Sequence, residues 1–280
     1  MPAPALDSYA AIIDAYPLIP PSDLLSLFLL TFARLVPIVV FAPFLGAKVV
    51  PSPVRIMFCI SLAYLFFPAN LLLVKGGVSA ELYTWIFVKE MFVGAILGLL
   101  VTVPFYVAQM SGTLIDQQRG SSSLQVTDPS TQSQTSSIGV LYNGILIVIF
   151  FLLNGPFLFF DSVALSYQLI PIDQFINPLF FNKSSSFWQQ IFQMLQYMMA
   201  LAIQLAAPAL ISILFTDLFL GIANRLAPQV QIVFLGMSLK SWVAILILCV
   251  SWALILKVLG QESILWIQTL SKLINKVILS

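Results

Sequence analysis

Residues Glu81 to Met110 read ELYTWIFVKEMFVGAILGLLVTVPFYVAQM. A helix over these positions would be about 45 Å long, against a bilayer hydrocarbon core of about 30 Å. The segment therefore tilts, kinks near Pro104, or projects beyond the membrane. Apolar runs of this kind recur along the whole chain, with 60% hydrophobic and 8% charged residues and a mean hydropathy of +1.02. Soluble domains carry about 25% charged residues. A β-barrel would instead show short alternating segments. The pattern predicts an all-α, polytopic membrane protein with about six hydrophobic segments.

Moving outward, Leu24 to Leu45 forms the first apolar segment and contains Arg34 and Pro37. A Pro-rich link with Lys48 and Arg55 leads to the second, Ile56 to Val74, where Pro68 is a candidate kink. Beyond the 81–110 segment, Ser111 to Ser137 is rich in Ser, Thr and Gln and reads as a polar connector. The fourth segment, Ile138 to Phe160, is broken near its end by Asn154, Gly155 and Pro156. A fifth, Trp188 to Ala223, is again too long for one span, and Pro208 marks it as a kinked helix or a helical hairpin. After the break GIANRLAPQ, the sixth runs from Ile232 to Leu259. The tail, about 261–280, has apolar residues at helical spacing with Lys272 and Lys276 opposite, which predicts an amphipathic helix at the interface. The whole, 1–280, reads as a single domain without an internal repeat.

Several function classes lose their chemical basis. A net charge of +1 offers no surface for nucleic acid. The chain has no His, which removes the commonest metal ligand and general base. Cys59 and Cys249 lie far apart inside apolar segments and read as buried apolar residues, so neither a metal site, a cofactor nor a disulfide framework is expected. No clustered carboxylates or Ser/Lys dyad supports a membrane enzyme. The N-terminus lacks a basic region followed by an apolar core, so the first apolar helix is expected to direct insertion. Lys48 and Arg55 favour a cytoplasmic first link, whereas Lys183 argues the other way.

Arg34, Lys89, Glu90, Asp217 and Lys240 fall within or near apolar segments. Each costs about 2.5–3.5 kcal/mol at the centre of a lipid-facing helix, so they should face protein or water. Mutual pairing or snorkelling explains them simply; an aqueous path is the sharper alternative. A secondary transporter for a small solute would want several mid-membrane acids in two related halves, and this chain has few acids and no mirrored half.

Three stretches together resemble one family: GTLIDQQRGSSSLQVTDPSTQSQTSSIG, LNGP at the end of the fourth segment, and Ala207 to Ser241. They look like the T subunit of the type III secretion export apparatus (the SctT/YscT group), whose flagellar counterpart is FliR. The third stretch places Asp217, Gly221, Asn224, Arg225, Ala227-Pro228-Gln229 and Gly236 at the family's spacing. Gly112, Leu114, Ile115, Asp116, Gln118, Arg119, Gly120 and Lys240 match the virulence (injectisome) branch. Thr113 stands where many relatives carry Glu.

The resemblance implies a non-enzymatic subunit that packs with R and S subunits, and with the U-type switch subunit, into a pseudo-symmetric helical ring in the bacterial inner membrane. Part of that ring would stand above the bilayer plane, and unfolded proteins would pass through it. It also implies that the polar stretch projects into the pore as a plug, through Asp116, Gln117, Gln118, Arg119, Gly120, Asp128 and Pro129. By composition alone the same stretch is a solvated loop. In either case Asp116 and Arg119 are spaced to pair on a helical turn, and Asp128-Pro129 has turn chemistry. Asn154, Gly155, Pro156, Asp217, Gly221, Asn224, Arg225, Pro228, Gln229, Gly236 and Lys240 are the corresponding candidates for subunit packing. For the GIANRLAPQ break, a helix stop with Arg225 at the C-terminal dipole accounts equally well for the residue types.

Overall fold

A computed structural model describes residues 21–46, 50–74, 80–120, 136–173, 186–226 and 232–279. Among these are seven α-helices and no strand: α1 Pro21–Phe41, α2 Ser52–Leu73, α3 Ala80–Gln118, α4 Ser137–Leu152, α5 Gly155–Leu169, α6 Ser186–Leu226 and α7 Ile232–Leu279. Five are long and apolar enough to cross a membrane, and α4 with α5 makes up to a sixth span. In hydrocarbon a helix satisfies its own backbone, which is why so apolar a chain resolves into helices alone.

The three overlong segments are unbroken helices of 39, 41 and 48 residues. At 1.5 Å per residue they reach about 58, 62 and 72 Å. Neither Pro104 nor Pro208 opens a helical hairpin. Two expected boundaries also move. Helix α3 runs past Met110 to Gln118, so the first third of the polar stretch is helical. The tail is no separate interfacial helix, because it continues α7 through Gly260 to Leu279, and Trp266, Ile267 and Leu270 are buried. The break in the fourth segment falls where expected: α4 stops at Leu152, Asn154 takes a left-handed φ of 56°, and Pro156 sits in the first turn of α5. An Asn tolerates that backbone at low cost, and a Pro at a helix start loses no intrahelical bond.

The chain divides into two compact units: Met1–Thr102 with Asn154–Gln190 and Ile267–Ser280, and Val103–Leu153 with Ile191–Trp266. In the first unit, α1 and α3 meet through Gly94 and Gly98. A Cβ on Gly94 would collide with the carbonyl of Arg34, and one on Gly98 would lie 3.1 Å from the carbonyl of Pro37. Small residues one turn apart let two helix backbones touch, so dispersion contacts replace a hydrophobic driving force that lipid does not supply. Leu30, Leu35, Ile38 and Ile86 close over this contact, and Phe44 meets Phe159 edge-on at 5.5 Å. In the second unit, Gly112 and Gly139 place the backbones of α3 and α4 against each other. Phe105 and Phe150 pack edge-on at 5.4 Å beside them.

Gly94→Val should force α1 and α3 apart and destabilise the protein by at least about 1–3 kcal/mol. Gly144, where an added Cβ would meet no atom within 4 Å, offers the control. Gly144→Ala should leave stability unchanged or raise it by up to about 1 kcal/mol. Thermal unfolding of the purified membrane protein distinguishes the two.

Candidate functional site

Two polar clusters stand out, one in each unit. The first is built on Arg34, fully buried in α1. Its Nε donates to Glu90 Oε2 at 2.5 Å and its Nη2 to Glu90 Oε1 at 2.8 Å, a bidentate pair. Nη1 donates to the carbonyl and hydroxyl oxygens of Ser166 at 2.9 and 3.2 Å, and Nη2 also reaches the carbonyl of Ile170 at 2.7 Å. All five guanidinium N–H groups are thereby used. Lys89 pairs with the same Glu90 at 2.6 Å and donates to the carbonyls of Pro171 and Ile172. Two cations thus share one carboxylate, and both point at the carbonyl-rich C-terminus of α5, where the helix dipole favours positive charge. The Arg34 guanidinium lies 4.2 Å from the centre of the Tyr167 ring, whose hydroxyl donates to the carbonyl of Thr31. Asn70 of α2 donates to the Thr31 hydroxyl, so α1, α2, α3 and α5 all enter the network. Lys89 is buried here and does not snorkel outward.

The second cluster sits where the polar connector begins and ends. One turn beyond the Gly112–Gly139 contact, the buried carboxylate of Asp116 faces the first turn of α4. It accepts from Arg119 Nε at 2.6 Å, from the Ser136 hydroxyl at 2.5 Å and from the backbone N–H of Ile138 at 3.0 Å. Ser136 in turn caps α4 by accepting from the N–H of Gly139 at 2.9 Å. An anion and a hydroxyl satisfy the free N–H groups of the helix start, and the helix dipole favours the charge. Gly120 ends α3 with a φ of 83°, the left-handed cap that glycine adopts without cost. Arg119 reaches on to the Ser241 hydroxyl of α7 at 3.3 Å. The neighbouring Lys240 pairs with Asp217 of α6. One carboxylate therefore fastens both ends of the connector together, and α7 carries the polar contacts across to α6.

Of the other expected residues, Gln117 and Gln118 are exposed on the last turn of α3. Asp128, Pro129, Pro228 and Gln229 lie outside the described residues. Gly155 is buried, while Asn154 is exposed. Gly221, Asn224 and Arg225 are exposed near the end of α6, and Gly236 is buried with a Cβ position 3.1 Å from Leu220. Sequence reasoning missed Gly94, Gly98, Ser136, Gly139, Ser166 and Tyr167. Gly94-x-x-x-Gly98 is a small-residue helix-contact spacing, and a Ser just before an apolar run is an N-cap signal. No group of three or more Cys, Asp or Glu that could hold a metal ion occurs among the described residues.

Long apolar helices, glycine-mediated contacts and internally paired charges define a multi-pass α-helical membrane protein. The sequence signature described as "Bacterial export proteins, family 1" matches residues 25–264, and the chain belongs to that family. It is 31% identical to the flagellar biosynthetic protein FliR of Bacillus subtilis over 258 residues, covering 91% of this chain and 97% of that one. It is 28% identical to the surface presentation of antigens protein SpaR of Shigella flexneri over 217 residues, or 78% and 81% of the two chains. The Yop proteins translocation protein T of Yersinia pestis is 33% identical over 163 residues, or 58% and 60%.

Glu90→Leu should strand Arg34 and Lys89 without their anion and cost about 3–5 kcal/mol. Arg34→Met combined with Glu90→Leu should recover most of that loss, since Lys89 keeps the carbonyls of Pro171 and Ile172. Denaturant titration of the three proteins gives the comparison.

Proposed function

We propose that this chain is a core, non-enzymatic subunit of a type III secretion export gate in the bacterial inner membrane, helping to form and plug a channel for unfolded secreted proteins. Membership of the export family carries this reading. Its partners are the R and S subunits of the gate and the U-type switch subunit, with substrates in transit. Helices of 41 and 48 residues are longer than a bilayer requires, which suits a subunit that stands partly above the membrane plane.

The plug is residues 120–135, with Asp116 and Arg119 as its footing. A plug must block small solutes yet leave when a polypeptide arrives. A Ser-, Thr- and Gln-rich connector makes hydrogen bonds that water or a passing backbone can replace, whereas an apolar plug would bury itself. Asp116 supports the role by holding both ends of the connector at one place, so the helices need not move when the segment does.

The injectisome branch is favoured by the Gly112-to-Gly120 pattern. The flagellar reading is the second, favoured by the 91% coverage of this chain by the Bacillus subtilis protein. Complementation of each system by this gene separates them.

Co-expression with R and S subunits should yield one stable complex, and purification only as a lone, fully lipid-embedded monomer would refute the gate reading. In the assembled complex, deleting Gly120 to Gln134 should raise small-solute conductance. Unchanged conductance with intact assembly would refute the plug.

A further inference from the structure

The Asp217–Lys240 pair differs from the other ion pairs in its surroundings. Both residues lie inside apolar spans, Ile191–Leu226 and Gly236–Leu270. Arg34 and Glu90 are sealed at 0% exposure, but the Asp217 and Lys240 side chains are 44% and 25% exposed. Lys240 engages only Oδ1, so Oδ2 has no partner among the described residues. One turn further along α6, Gly221 is exposed, and a Cβ there would meet nothing within 4 Å. Large apolar side chains surround the two: Leu214, Phe215, Leu218, Phe219 and Ile222 of α6 are all more than half exposed.

No simple solvent fits this face. Lipid would leave an ionised carboxylate with an open acceptor in hydrocarbon, at about 2.5–3.5 kcal/mol for a charge at mid-membrane. Water would have to wet a contiguous apolar patch of the kind that marks protein or membrane contacts. A protein helix satisfies both demands: apolar residues cover the leucines and phenylalanines, the bare backbone at Gly221 permits close approach, and a donor reaches Oδ2.

We propose that the α6 face centred on Asp217 and Gly221 docks an apolar membrane helix of a neighbouring export subunit, which presents a hydrogen-bond donor to the free oxygen of Asp217. This rests on the chain being one subunit of an assembly, and it deepens that reading by naming the surface and the chemistry of its partner. Acceptor and small residue lie four apart, so they occupy one side of the helix, and the donor belongs near the middle of the docked segment.

The test uses the full chain in native membranes with the other export proteins present. A photo-crosslinking residue at Leu218 should join this chain to a different polypeptide of the complex, identified by mass spectrometry. Labelling of lipid alone, or a cross-link to a second copy of this chain, would overturn the proposal. Asp217→Lys combined with Lys240→Asp keeps the internal pair but turns a donor towards a donor. It should lower recovery of the partner about tenfold, or about 1.4 kcal/mol, at unchanged membrane level. If that variant fails to accumulate, Gly221→Leu decides, because it fills space that no part of the same chain occupies. Unchanged partner recovery in the deciding variant overturns the docking site. Failure of the unaltered chain to associate with any export protein would instead refute the gate assignment itself.

Discussion

Arg34 brings a permanent charge and five N–H donors into the interior of an apolar helix unit, and the placement of four helices answers that demand. Glu90 supplies the counter-charge from α3, and the end of α5 supplies carbonyls from Ser166 and Ile170. A buried pair of this kind need not add net stability, because desolvation offsets much of its Coulomb attraction. What it does is penalise alternatives. Any packing that separates α1 from α3, or turns α5 away, leaves a charge or several donors unsatisfied in a medium that offers none. Gly94 fits the same logic, since the Arg34 backbone can approach α3 only where no side chain intervenes.

The second unit applies a related rule at a different scale. There the close approach is Gly112 against Gly139, and the polar group one turn away is Asp116. In the first unit the polar network is closed off from its surroundings. In the second it opens towards the connector at one end and, through Arg119, Ser241 and Lys240, towards the half-exposed Asp217 on the other. Stability and function are thereby separated. Sealed charges hold helices in register, while accessible ones lie beside the segments assigned to gating and docking.

Much of this architecture is readable from residue order, because hydropathy over twenty residues is a strong signal and Asn-Gly-Pro is a strong break. Boundaries fail where polarity is satisfied locally. Ser111 donates to the carbonyl of Ala108 and Asp116 is paired, so a polar run that reads as loop remains helix. Gly260 reads as an end, yet Ile149 of α4 and Leu153 just beyond it pack against α7 there, and the helix runs through. That the in-span charges pair with one another is legible; their partners are not. Arg34 meets Glu90 across 56 residues and Ser166 across 132, and no local spacing encodes either distance.

The fastening at Asp116 sets a geometric limit on the segment it holds. With Arg119 and Ser136 pinned to the same carboxylate, the connector is a closed loop whose two arms leave from one point. About half of its contour is the most that it can extend. At roughly 3.3–3.6 Å per residue, no backbone atom between them lies more than about 30 Å from that anchor, whatever path the chain takes. The aperture that this loop can obstruct must therefore pass within one hydrocarbon thickness of Asp116, and lengthening the loop would widen that radius without disturbing a single helix contact.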